Sequence, residues 1–529
     1  MTRTTLRILP AALVMGACAP PAPAPAPAPG AAPAALPPVP ARTGALAPDL
    51  VYPAEGQALT AADSTFVFGS VGTGGAALRI NGAPVDVAPN GAFLAYLPVP
   101  PDGVYELAAS RGAETRTLRR TVRVPASPPA RTPLSPFEAQ DVSRTPPAPA
   151  PVAADTALRA GVIRTRRPDG AIGTLAPGPG NPYEWTLLAG TRVAAGEVSG
   201  GARRVRLSPE LSVWVDTAEV QLLPAGTPLP RGTVGAVRLS PARDWVELRL
   251  AVSERLPVRV DETEDGYTVR VFGATGKTNW LYYGATDPLV EFAGWEQATD
   301  GVYRVHVKLS QRPWGYRQAW DERGNLVVQL RRPPRIDPDH PLRGLYVGVD
   351  AGHPPGGAMG PTRLTEAEAN LAISKRLVAL LRERGARVLE TRPDTAAVAL
   401  GERPAVAADS GVHLLVSVHN NAFPDGVNPF LENGTSVFYN RRHSVDLASH
   451  LQRELVRELG LRDLGVARGD LALVRPTWMP SALTESMFLM VPEQEAALRD
   501  PGVQERIARA HLRGIEGFLR ERAAGAPSR

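Results

Sequence analysis

The chain holds a single cysteine, Cys18, in 529 residues. No intramolecular disulfide can form, and the body of the chain can carry neither a thiolate metal cluster nor a cysteine nucleophile. Long apolar runs are missing too. Nothing beyond residue 18 reaches the roughly 18 uninterrupted apolar residues that a membrane-spanning helix needs. Charge of one sign is scarce: 58 basic against 53 acidic residues leaves +5. That is too even to mark a nucleic-acid binder, and no nucleic-acid partner is expected. No G-x-S-x-G elbow is present, which argues against serine catalysis of the α/β-hydrolase kind. Gly276-Lys277-Thr278 ends like a phosphate-binding loop, but Val271 stands five positions before Gly276, where that loop needs glycine. Residues 273–278 therefore read as a turn between strands.

Glycine (50) and proline (55) are abundant, so linkers and turns are expected. Residues 1–18 begin with Arg3 and Arg7, continue through a short apolar run and end in Met15-Gly16-Ala17-Cys18. This layout of an export signal resembles a bacterial lipoprotein signal. The resemblance implies lipidation of Cys18 and a membrane-anchored place in the bacterial envelope, facing periplasm or cell wall. Lipid chains hold a protein at a membrane surface by burying methylene groups.

Residues 19–46 are a Pro/Ala-rich linker, extended at about 3.1 Å per residue. A second Pro-rich linker covers 126–157. Between them, residues 47–125 show short apolar runs separated by Asn81-Gly82, Asn90-Gly91 and Asp102-Gly103, which are hairpin signals. The pattern is similar to Ig-like β-sandwiches. Residues 158–224 loosely resemble an SH3-like barrel. Residues 232–332 are similar to the AMIN-type modules that precede amidase domains and bind cell wall.

From about residue 342 to 522 the pattern changes to alternating strands and helices. Strands are expected at 345–349, 387–390, 413–418, 435–439, 471–474 and 482–483. Helices are expected at 366–384, 445–459 and 503–519. The alternation predicts an α/β domain with a mostly parallel sheet, so the fold class is multidomain, all-β modules followed by α/β.

Four segments of this domain end in polar groups that buried strands do not need. They are Val349-Asp350-Ala351-Gly352-His353, Leu364-Thr365-Glu366, Ser417-Val418-His419-Asn420-Asn421-Ala422 and Pro480-Ser481-Ala482-Leu483-Thr484-Glu485. Groups beyond the carboxyl ends of such strands converge in one crevice. Two imidazoles and a carboxylate make a catalytic zinc set with one position left open. A further carboxylate serves as proton carrier.

Taken in this order, with Asn370-Leu371, Thr391-Arg392 and Leu400 to Arg403, these segments resemble N-acetylmuramoyl-L-alanine amidases of the Amidase_3 type. The resemblance covers about a third of the chain. It implies one Zn2+ per catalytic domain, held by His353, Glu366 and His419, with Glu485 as the catalytic acid/base. It also implies peptidoglycan as substrate, cut between N-acetylmuramic acid and L-alanine of the stem peptide in wall remodelling or division. Asp350 reads as a supporting group. His306, His340, His413, His443, His450 and His511 read as surface or satisfied core residues.

Three positions depart from the family pattern: Pro354-Pro355, Asn420 and Met487. Two alternatives remain at this point. One is a non-catalytic wall-binding envelope lipoprotein; the other is a zinc amidase acting on another amide.

Overall fold

The computed structural model describes residues 35–125, 140–141, 158–178, 181–299 and 301–525. The expected signal, Cys18 and most of the second Pro-rich linker lie outside the described residues. Among the described residues, no helix is long and apolar enough to cross a membrane.

The amino-terminal two thirds is mostly β. In the first module a three-stranded sheet (Asp49–Tyr52, Ser64–Ser70, Ala92–Pro98) faces a five-stranded one across Val67, Ile80, Phe93, Tyr105 and Leu107. The Asn81-Gly82 signal closes the hairpin between Ala77–Ile80 and Ala83–Val85. Both turn residues take positive φ, 48° and 80°, as a tight two-residue hairpin requires. A seven-stranded sheet follows, from Arg159–Ile163 to Val220–Leu222, and then a module of two sheets between Gly232 and Arg331. Residues 274–276, expected as part of a turn, pair in parallel with residues 232–234 as a short strand.

The α/β domain has a six-stranded sheet in the order Arg387–Glu390, Tyr346–Ala351, Leu414–Asn421, Ser481–Phe488, Thr435–Tyr439, Asp463–Arg468. Only the Ser481–Phe488 and Thr435–Tyr439 pair is antiparallel. Val349, Val416, Val418 and Ala482 pack beneath Ile373, Leu377, Leu451, Ile507 and Phe518 of the helices Glu366–Glu383, Val445–Leu459 and Pro501–Ala524. The central strands are apolar on both faces because both are covered.

One expectation here fails, and two elements were missed. Residues 471–474 form a turn rather than a strand, because Val474 N–H and Arg475 N–H bond back to Leu471 instead of to a neighbouring chain. The helix Glu402–Ser410 and the strand Asp463–Arg468 were not anticipated. Their residues lack a clean apolar period: the helix buries only Arg403 and Ala407.

The β modules grip the two ends of this sheet. At the carboxyl end, Phe66, Phe68 and Leu94 of the first module pack on Phe423, Val427, Phe488 and Met490. Tyr96 Oη donates to the Gly426 carbonyl at 2.9 Å. At the amino end, Trp314 of the third module sits in the α/β core and donates to the His413 carbonyl at 3.0 Å. The chains approach so closely there that a Cβ on Gly315 (φ 147°) would lie 2.4 Å from the Trp478 carbonyl carbon.

Candidate active site

His353 follows a strand's end and Glu366 opens a helix, whereas His419 and Glu485, expected at the ends of their strands, lie within Leu414–Asn421 and Ser481–Phe488, which run on past them. Thr365 caps the helix that begins at Glu366, and Glu368 reciprocates on the Thr365 backbone, a capping box that fixes the first turn. Glu366 is thereby held at the helix start, beside the carboxyl ends of Tyr346–Ala351 and Leu414–Asn421.

His353 and His419 are 66 positions apart in the chain with Glu366 between them, yet one donor atom from each of the three lies within 4.8 Å of the others. Glu366 Oε1 is 2.9 Å from His419 Nδ1, and Oε2 is 3.3 Å from His353 Nε2. His353 Nδ1 is 3.0 Å from the Pro355 carbonyl. An N–H on Nδ1 bonds that carbonyl and leaves the Nε2 lone pair facing Glu366. The two rings meet edge to face at 5.1 Å. Gly352 is required by this packing: a Cβ there would sit 2.3 Å from His419 Cε1.

Burial alone would raise the Glu366 carboxyl, but the hydrogen bond and charge of His419, with the charge of His353, hold it down near 2. The reciprocal effect outweighs the desolvation of His419 and raises its imidazole to about 9. Two imidazoles and an ionised carboxylate are a donor set of the kind that holds zinc, the His419 proton being displaced on binding.

A supporting layer fixes these groups. Asn370 Nδ2 donates to Glu366 Oε1 and to the Gly352 carbonyl, each at 3.2 Å. Asn420, where the family commonly has alanine, donates from Nδ2 to Asn370 Oδ1 at 2.9 Å, extending that network. Asp350, fully buried, accepts from Ser417 Oγ at 2.6 Å, from Arg403 Nη1 at 3.1 Å and from the Thr391 hydroxyl. Arg403 also donates to the Pro354 carbonyl at 2.7 Å, and Arg392 to the Ala351 carbonyl at 2.9 Å. Asp350 thus anchors Arg403, which holds the His353 loop together with Arg392. The Pro354-Pro355 carbonyls are both used, and Met487 fills the core beneath the sheet. The residue types of this layer were visible in the sequence motifs; their hydrogen-bond partners were not.

Glu485 stands in register with His419 on the adjacent parallel strand, so the two side chains share a face. It is 7% exposed, and its Oε2 has no hydrogen-bond partner among the described residues. Burial raises its carboxyl to about 8; His419 pulls that value down and Glu366 pushes it up. All four expected site residues in the α/β domain are therefore brought together, and Cys18 lies outside the described residues.

The domain that carries this geometry is similar to known proteins. The family model described as Amidase_3, N-acetylmuramoyl-L-alanine amidase, matches residues 347–517. YqiI of Bacillus subtilis is 31% identical over 207 residues, covering 38% of this chain and 98% of that protein. The N-acetylmuramoyl-L-alanine amidase LytC of the same organism is 30% identical over 187 residues, 34% of this chain and 37% of LytC. The solved catalytic domain of CwlV, an N-acetylmuramoyl-L-alanine amidase from Bacillus (Paenibacillus) polymyxa var. colistinus, is 30% identical. It covers 33% of this chain and 98% of that one, with a TM-score of 0.31. On the matched domain and the nearly full-length match to YqiI, the chain belongs to the N-acetylmuramoyl-L-alanine amidase family.

Proposed function

We propose that this amidase is a zinc hydrolase of peptidoglycan that cuts the amide between the lactyl group of N-acetylmuramic acid and L-alanine of the stem peptide. The observation that carries the reading is the meeting of His353, Glu366 and His419 within 4.8 Å, with Glu485 in register beside His419. His353, Glu366 and His419 would hold one zinc ion. When bound, zinc supplies Lewis-acid polarisation of the scissile carbonyl and activation of water at neutral pH.

Glu485 takes a proton from the attacking water and returns it to the leaving amine. The C–N bond breaks, the carbonyl carbon gains hydroxyl, and L-alanine leaves with a free amino group. The apolar setting of Glu485 favours this double duty, since burial lifts its carboxyl out of the ordinary acidic range. A cation on the neighbouring set draws it back toward neutrality. Asp350, Asn370, Arg392 and Arg403 keep the donors converged.

In this reading Cys18 bears lipid and holds the enzyme in the envelope. The three β modules are Ig-like, SH3-like and AMIN-like and contribute wall contact. The facing sheets of residues 49–123 support the first of these assignments.

Digestion of purified peptidoglycan tests the chemistry. The expected new ends are free amino groups on L-alanine and free lactyl carboxylates, lost on chelation and restored by zinc. Other end groups, or intact wall after incubation with zinc-loaded protein, would sink the proposal.

A further inference from the structure

Ser436 is buried completely, and its hydroxyl has no hydrogen-bond partner among the described residues. A buried orphan hydroxyl calls for an explanation, because leaving it unpaired costs desolvation without return. Its position supplies one. Ser436 is directly opposite Glu485 on the antiparallel strand Thr435–Tyr439. Directly opposed residues point to the same face, with Cβ atoms about 4.5–5.5 Å apart.

The core packing bears out the face assignment independently. Two positions along, Phe438 and Leu483 share one apolar cluster, whereas the intervening Val437 belongs to the helix-facing core. Alternation then places Ser436 with Phe438 and Glu485 with Leu483. Glu485 is therefore flanked in register by His419 on one strand and Ser436 on the other. The unpartnered Oε2 of Glu485 and the unpartnered Oγ of Ser436 are an acceptor and a donor left over at neighbouring positions.

We propose that Ser436 is a positioning residue: its hydroxyl donates to the Glu485 carboxylate during turnover and holds it toward the scissile bond. This rests on the reading of Glu485 as acid/base. The hydroxyl neither touches substrate nor moves a proton to it. It fixes which carboxylate oxygen faces the reacting centre, a restriction that an Oε2 without a partner otherwise lacks.

The test uses the full chain with Ser436→Ala, Ser436→Thr, Glu485→Gln and the Ser436→Ala/Glu485→Gln double variant. Ser436→Ala is expected to lower kcat on peptidoglycan about 10-fold or more with KM unchanged. Zinc content stays the same and Tm is unchanged or higher, because the removed hydroxyl has no structural partner. Ser436→Thr recovers kcat. In the Glu485→Gln background, Ser436→Ala has no further effect on residual hydrolysis, the signature of one residue acting through the other. Full kcat in Ser436→Ala overturns the inference, as does a fall in Tm or zinc content that accounts for the loss. Additive effects in the double variant overturn it too, and they do so even if threonine proves too large for the site. Retained activity in Glu485→Gln would instead overturn the acid/base reading itself.

Discussion

The two ends of the amidase sheet both bury ionisable groups, and they treat them in opposite ways. At the carboxyl end Glu485 and Ser436 each keep an atom without a partner. At the amino end Arg331 of the third module donates to the carbonyls of Val412 (2.9 Å), Trp478 (2.8 Å) and Gly411 (3.1 Å). Burial, with Arg317 nearby, pulls its guanidinium down to about 10, yet the three carbonyls keep it in place. Glu262 meets His443 there, carboxylate to Nδ1 at 2.8 Å, and the other ring nitrogen is 3.0 Å from the Met479 carbonyl. The ring thus bridges the carboxylate and the carbonyl. Burial opposes ionised Glu262, but His443 outweighs it and lowers the carboxyl. One end uses its polar groups to join modules; the other leaves an acceptor and a donor unpaired beside His419.

The sharpest way to break this contrast is a pair of substitutions. Glu485→Gln is expected to lower wall hydrolysis on the order of 1000-fold with unfolding unchanged, the scale of lost acid–base catalysis. Arg331→Ala is expected to lose about 3–5 kcal/mol of stability, since three buried carbonyls lose their donor. Urea midpoints and hydrolysis rates measured on both variants check it. Equal loss of stability in the two would erase the distinction.

A somewhat smaller effect concerns Thr484, next to Glu485 but on the opposite face. Its hydroxyl is 2.8 Å from His511 Nε2, while His511 Nδ1 is 2.8 Å from the Ile507 carbonyl. Nδ1 therefore donates, Nε2 accepts, and the ring is neutral. Burial lowers His511 to about 4. The unfolded chain takes up that proton near pH 6.5 and the folded one only near 4. Stability from the neutral ring is thus complete above about pH 6.5 and lost as pH falls through about 4, up to roughly 3 kcal/mol. Urea midpoints across that window should fall for the parent chain and fall less for His511→Gln. His413, also lowered to about 4, first by burial and then by Arg331, adds to the parent's slope and remains in the variant.

The smallest effect is at the first module's joint. Asp49 and Arg363 pair at 2.7 Å but are 40% and 59% exposed at their side chains. Asp49→Ala should cost under about 0.5 kcal/mol by thermal unfolding, as solvent screens such a pair. A larger loss would mean that this joint carries load comparable to the Arg331 end.

Motif order was enough to select His353, Glu366, His419 and Glu485, although His419 and Glu485 lie within strands that run on past the ends expected for them. The helix 445–459 and the strands 387–390 and 435–439 were read at their observed bounds. The helix Glu402–Ser410 was missed because its buried Arg403 reads as a surface residue. The Asp350 carboxylate, 53 positions away, together with the Ala351 and Pro354 carbonyls, makes that burial tolerable. Ser436 carried no signal at all, since a serine in an apolar strand says nothing of what stands opposite.

The sequence by itself determined the element types and the chemistry available, since periodicity, caps and turns are set by neighbours along the chain. Tertiary structure alone decided which donors meet, which carboxylate stays unpaired, and that Trp314 and Arg331 of a β module complete the amidase domain. Those outcomes depend on register and on the removal of water between segments far apart in the chain, and no local pattern encodes either.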